Sequence, residues 1–325
     1  MKRIGLLTMA LSLFLFAQAA QAQWTLAKRI TWTPGESYNP IIAVGSNGFI
    51  HVVWEDNTPY NREIYYKRSE DGGATWSTAK RLSWTSGDSE HPSIAVDSNN
   101  HITVVWSDYT PNSGEIFFRR SLDGGTKWGL INRLTWTASE SRDPTMVIDI
   151  SNKIHVVWDE ESEIYYMSSA DGISFSLAKM LSNNSGDATQ PAIAISGSTI
   201  CVVWQDYAYF DTCHIYYRTS GDGGEIWSPV KELPTYSLDH YYSPAVAISG
   251  STIHVVWEDY TPGYPEIYYM RSVSGGAFLN QSIRLTWTLG DSRCPAIAKD
   301  SNNSVHVVWY DNTPGNFEIY YKKRN

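Results

Sequence analysis

Six prolines, Pro40, Pro92, Pro144, Pro191, Pro244 and Pro295, each follow two residues that change from copy to copy. Two places before the proline stand Tyr38, Glu90, Arg142, Thr189, Tyr242 and Arg293; directly before it stand Asn39, His91, Asp143, Gln190, Ser243 and Cys294. These positions carry guanidinium groups that hold anions, carboxyl and imidazole groups that exchange protons, two phenols and a thiol. If they face one opening, that opening is equipped to bind a polar ligand and to move protons at it.

The elements that must position them are repeated. The segments "FIHVVWEDNTP" from Phe49, "HITVVWSDYTP" from His101, "KIHVVWDEESE" from Lys153, "TICVVWQDYAY" from Thr199, "TIHVVWEDYTP" from Thr252 and "SVHVVWYDNTP" from Ser304 align, with tryptophans 46 to 53 residues apart. Each unit runs from the proline-initiated apolar stretch through a Gly/Ser/Asn turn, the HVVW run, a polar loop, an "EIYYKRS"-like run, a Gly-rich turn and a last run such as "WSTAKRLSWT". Short β-branched and aromatic runs between turn residues, with no helical periodicity, predict four antiparallel strands per unit. Six such units predict an all-β, six-bladed β-propeller. The last unit stops after its third strand, so the N-terminal run "WTLAKRITWT" is expected to complete blade six and close the ring.

A central pocket occurs once whereas blades occur six times. Repeated features are therefore architectural, and departures from the repeat mark site candidates. By this rule the acids Asp56, Asp108, Glu160, Asp206, Asp259 and Asp311 cap the loop after strand two, and His51, His155, His254 and His306 are core residues between blades. The pre-proline ring diverges and is where a ligand is expected.

The first residues carry a secretory pattern: Lys2 and Arg3, an apolar run, and "AQA" at 20–22. The expected organisation is a signal peptide over 1–22 and one propeller domain over 23–325, giving a protein secreted to the periplasm or medium without membrane insertion. A formal net charge of −9 argues against nucleic acid and anionic membranes as partners. Three cysteines, Cys201, Cys213 and Cys294, form neither a disulfide framework nor a zinc motif. No cofactor is expected, and of metals only a structural calcium ion has carboxylates that could take it.

One turn motif carries a family resemblance. "SEDGGATW" at Ser69, "SLDGGTKW" at Ser121 and "SGDGGEIW" at Ser220, with the degenerate "SADGISF" at Ser169 and "SVSGGAF" at Ser272, follow S-x-D-x-G-x-x-W. This resembles the Asp box of the sialidase superfamily, whose fold is a six-bladed propeller with the boxes on the face away from the pocket. The resemblance implies that the boxes are structural turns, and it gives the pre-proline residues roles. Arg142 and Arg293, in Arg-x-Pro positions, would hold a substrate carboxylate; Tyr38 or Tyr242 would be the nucleophile, Glu90 its base, and Asp143 or Asp239 the acid. Blade one departs from the pattern with "SYNP", and the nearest third arginine, Arg62, stands on a loop rather than an inner strand.

The loops after strand two carry Tyr60, Tyr109, Tyr207, Tyr209, Phe210, Tyr260, Tyr264 and Tyr310, in a chain with 14 Trp and 21 Tyr. Aromatic rings beside amides and carboxylates suit sugars, since rings stack on C–H faces while polar groups fix hydroxyls. Arg142, Arg293, His91, Tyr207 and Tyr260 are accordingly expected to bind the ligand. Three readings follow: a glycan- or glycoconjugate-binding propeller, an active exo-sialidase, and an extracellular scaffold that binds protein.

Overall fold

A computed structural model of the chain describes residues 28–58, 60–110, 113–183, 186–208, 212–235, 240–272, 277–278, 282–300, 303–313, 315 and 317–324. They divide into an N-terminal segment ending at Trp32 and a body from Thr33 onward. The expected signal peptide lies outside the described residues.

The body is all β, a six-bladed propeller. Blade one runs from its inner strand Ser37–Val44 through Ile50–Asp56 and Glu63–Ser69 to a short outer strand, Lys80–Arg81, each antiparallel to the last. The inner strands of the next five blades are Ser89–Val96, Ser141–Ile148, Asp187–Ser196, Tyr241–Ser249 and Ser292–Lys299. Blades one to five have four strands and blade six has three among the described residues. Part of the run expected to complete blade six, 24–27, lies outside the described residues, and 28–33 form no strand.

Strand two is the middle of each blade, so its faces pack against both neighbouring blades. This is why its HVVW run is apolar without interruption rather than alternating, and why it is buried almost throughout. Each core cluster spans two blades: Val53, Ile64, Tyr66 and Leu82 of blade one meet Ile94, Ile102, Val104 and Trp106 of blade two.

Three of the four strand-two histidines, His51, His155 and His254, belong to this core, while His306 is half-buried. His51, His155 and His254 each place Nδ1 2.8 Å from a tyrosine hydroxyl of their own blade, Tyr66, Tyr166 and Tyr269. Burial lowers His51 and His254 to pKa values of about 4, so both are neutral in the folded protein.

The S-x-D turns join strands three and four. In blade one Ser69 Oγ donates to Asp71 Oδ1 at 2.8 Å, while the Gly73 and Thr75 amides donate to Ser69 Oγ and Asp71 Oδ1 at the same distance. The same turn forms at Ser121–Asp123, Ser169–Asp171 and Ser220–Asp222. Its aromatic residue packs on the preceding blade: Trp128 meets Tyr66 edge-on at 5.0 Å, and Trp227 meets Tyr166 at the same distance. These turns thereby lock neighbouring blades together.

Four of the six repeated acids after the tryptophans cap loops, and Glu160 instead accepts from the Ser141 hydroxyl and the Trp158 indole. Asp56 Oδ1 accepts from the Thr58 amide at 2.9 Å, and Asp108, Asp259 and Asp311 do the same for Thr110, Thr261 and Thr313.

Candidate functional site

Each inner strand is interrupted at its proline. The ladder between strands one and two shifts register between Tyr38 and Ile41, between Glu90 and Ser93, and at the equivalent place in every other blade. The residue before each proline takes up the shift with a left-handed backbone: φ is 45° at Asn39, 51° at His91, 50° at Asp143, 51° at Gln190, 52° at Ser243 and 47° at Cys294. Six non-glycine residues in this region cost strain, which a bulge offsets by turning side chains out of the sheet plane.

The bulges are tied to the preceding blade. The amide of His91 donates to Glu55 Oε1 at 2.6 Å, that of Asp143 to Ser107 Oγ at 3.1 Å, that of Ser243 to Gln205 Oε1 at 3.0 Å, and that of Cys294 to Glu258 Oε1 at 2.7 Å. The Gln190 amide bonds Asp159 in the same way. These acceptors occupy the slot between the buried tryptophan and the repeated acid. Sequence reasoning passed over that slot, although its variation (Glu55, Ser107, Asp159, Gln205, Glu258, Tyr310) between invariant neighbours was the signal that singled out the pre-proline ring.

The result is a cavity of about 790 Å³ on the propeller axis. Asn39, His91, Asp143, Gln190, Ser243 and Cys294 line it with their prolines, joined by Tyr310. The residues two before the prolines do not line it; they pair across to the acceptor slot, Tyr38 with Glu55, Arg142 with Asp159, Tyr242 with Glu258 and Arg293 with Tyr310.

The mouth has two chemically different halves. Blades one to three present ion pairs. Arg62 Nη1 lies 2.5 Å from Glu90 Oε1 and its guanidinium stacks 5.5 Å from the Tyr38 ring. Tyr38 donates its hydroxyl to Glu36, a bond that pushes the phenol's pKa up. His91 Nδ1 and Asp143 Oδ1 are 2.6 Å apart, and this hydrogen bond raises the imidazole above its ordinary value. Arg142 Nε reaches Asp159 Oδ1 at 3.3 Å. Burial, with the Asp143 charge adding to it, nevertheless pushes the Asp159 carboxyl up to about 7.

Blades four to six present rings. Tyr242 stands between Tyr207, His240 and Tyr260 at centroid distances of 5.9, 5.8 and 5.2 Å. Arg293 reaches this half, stacking 5.9 Å from Tyr260 while its Nη2 lies 2.6 Å from Asp291 Oδ2. Cys294 Sγ lies 3.4 Å from the Tyr310 hydroxyl, and Tyr310 meets Phe317 edge-on at 4.9 Å.

The structure thus brings His91 and Asp143 together in the cavity, and Tyr207, Tyr242 and Tyr260 together at its rim. Tyr38 is bonded to Glu36 while Glu90 is bonded to Arg62, and Arg142 and Arg293 each hold a separate acid. Asp239, Tyr209 and Phe210 lie outside the described residues. Among the described residues, no group of three His, Cys, Asp or Glu side chains is gathered as a metal site, and no helix is long and apolar enough to cross a membrane.

No family model and no curated protein matches the sequence. Solved structures do match. The intramolecular trans-sialidase from Ruminococcus gnavus superimposes with a TM-score of 0.63 at 11% identity, over 89% of this chain and 94% of that one. The NanB sialidase from Streptococcus pneumoniae gives 0.61 at 11% identity, over 89% of this chain and 68% of that one. The fold is that of the six-bladed sialidase propellers. A protein of unknown function from Dyadobacter fermentans is similar at 0.62 and 14% identity, over 89% and 94% of the two chains. At such identities the likeness to these structures is one of fold.

Proposed function

We propose that this protein is a secreted glycan-binding propeller whose ligand enters the axial cavity from the face opposite the S-x-D turns. The observation that carries the reading is the division of the cavity mouth. Tyr207, Tyr242 and Tyr260 cluster their rings next to the cavity-lining Ser243, while Asn39, His91, Asp143, Gln190 and Ser243 offer amide, imidazole, carboxylate and hydroxyl groups in the cavity wall. A pyranose has the same division, with C–H faces that stack on rings and hydroxyls that need directed partners. The sialidase-like fold supports a glycan as the ligand class.

Binding rather than hydrolysis is favoured by the charge pairing. Arg62, Arg142 and Arg293 are each opposed by an acid, Glu90, Asp159 and Asp291, so gripping one substrate carboxylate would require breaking three ion pairs. Glu90, the expected base, is paired with Arg62 rather than with Tyr38, whose hydroxyl donates to Glu36 instead.

The test is a glycan array probed with the purified mature protein, alongside hydrolysis of a fluorogenic sialoside. Array binding lost in Tyr242→Ala, without sialoside turnover, is the expected result. Turnover abolished by Arg142→Ala and by Tyr242→Phe would replace the binding reading with the exo-sialidase one.

A further inference from the structure

The run after each outer strand carries a second aromatic set away from the axis. Trp84, Trp136 and Trp287 occupy equivalent places in blades one, two and five, and they are 57%, 76% and 68% exposed. Three rings at equivalent places leave most of their surface to solvent, where a flat ligand face can reach them.

Each indole is held by the same local device. The arginine three residues earlier stacks on it, with Arg81 Cζ 5.8 Å from the Trp84 ring, Arg133 4.3 Å from Trp136 and Arg284 5.8 Å from Trp287. The guanidinium is itself fixed, since its Nε donates to the carbonyl one residue before the tryptophan, at 2.8, 2.6 and 2.7 Å. It also pairs with a buried glutamate that opens strand three: Glu63, Glu115 or Glu266. Arg119 and Lys322 of the following blades add a second cation at Trp84 and Trp287. The N-terminal segment repeats the local device, with Arg29 5.8 Å from the Trp32 ring and Nε on the Thr31 carbonyl. Blades three and four have Asn183 and Thr235 instead, so the sheet does not need the indole.

We propose that Trp84, Trp136 and Trp287 are rigid stacking platforms that bind separate sugar units of an extended, neutral polysaccharide, apart from the axial cavity. Each indole is followed by a threonine, Thr85, Thr137 or Thr288, whose hydroxyl can bond a sugar hydroxyl beside the stacked ring. A flat ring that is already immobilised offers a sugar C–H face a partner at little entropic cost. Several separate platforms on one molecule let weak single contacts with one long chain add through avidity. Neutrality follows because Arg81, Arg133 and Arg284 have their charge met by glutamates, and a net charge of −9 repels acidic polymers and anionic bilayers.

Affinity electrophoresis of the full mature protein through gels containing hydroxyethylcellulose, xylan or galactomannan tests this, with dextran sulfate and phosphatidylserine vesicles as the acidic and membrane alternatives. At least one neutral polymer should retard the protein. Each single Trp→Ala change should weaken retention about threefold to tenfold and the triple change should abolish it, as for multivalent binding. Trp136→Tyr should restore part of what Trp136→Ala loses, and the triple variant should bind axial-cavity glycans as the unsubstituted protein does. Retardation by no neutral polymer, retention unchanged in the triple variant, or retention only by dextran sulfate or vesicles would overturn the proposal.

Discussion

The backbone amide of His91 in blade two donates to Glu55 Oε1 of blade one at 2.6 Å. One hydrogen bond therefore joins two blades, fixes a strained bulge and sets the direction of a side chain in the axial cavity. Cys294 and Glu258 repeat it at 2.7 Å between blades five and six. The acceptors are buried, so removing one leaves an amide at the cavity wall without its protein partner.

Glu55→Ala and Glu258→Ala should each destabilise the fold by about 0.5–1.5 kcal/mol, the net worth of the lost interblade hydrogen bond. Each should also weaken ligand binding through the displaced bulge. Glu55→Gln keeps an acceptor oxygen and should recover most of the loss. Chemical denaturation of the three variants measures it; an unaltered midpoint for both alanine variants would mean that the amide finds water instead.

The S-x-D turns separate two costs of adding a methyl group. At Gly125, φ is 86° and a Cβ would lie 1.9 Å from the Tyr66 hydroxyl, so alanine meets both backbone strain and a clash between blades. At Gly73, φ is 91° but the nearest atom is Ile50 Cδ1 at 3.9 Å. Gly73→Ala should cost about 1–2 kcal/mol, the left-handed penalty alone, and Gly125→Ala clearly more. Equal shifts in unfolding temperature would contradict the blade-locking role.

Two opposed ionisations shape stability between pH 4 and 7. His51 and His254 titrate near 4 when folded against an ordinary value of 6.5, so the unfolded chain binds more protons and stability rises with pH across that window. Asp159 titrates near 7 when folded against an ordinary value of 3.8, so its contribution is fullest below pH 4 and is lost as pH rises to 7. Asp159→Asn should therefore steepen the rise in unfolding temperature from pH 4 to 7, and replacing His51 and His254 should flatten it. An Asp159→Asn profile parallel to that of the unsubstituted protein would place the Asp159 ionisation elsewhere.

The propeller was legible in the sequence because its evidence is local and sixfold: the tryptophan spacing, the apolar HVVW runs and the turn residues recur whether or not any contact is known. The pre-proline ring was legible as a place of divergence. Which of its two residues enters the cavity was not, because this depends on six bulges with positive φ at residues such as Cys294 and Gln190, a conformation their side chains disfavour. Nor were the partners of Arg142 and Arg293 legible. Arg142 meets Asp159 only through strand register, and Arg293 turns back onto Asp291, two residues away. The Arg-x-x-Trp device repeats openly in the sequence, but the exposure of its indoles appears only when the outer edges of the blades are built.

Isothermal titration of the glycan selected on the array, against the unsubstituted protein and Tyr242→Ala, tests the central claim most directly. Removing the ring that bridges Tyr207 and Tyr260 should weaken binding about tenfold or more, as loss of an aromatic anchor does. Equal affinity in the two proteins would contradict a glycan site at the axial cavity.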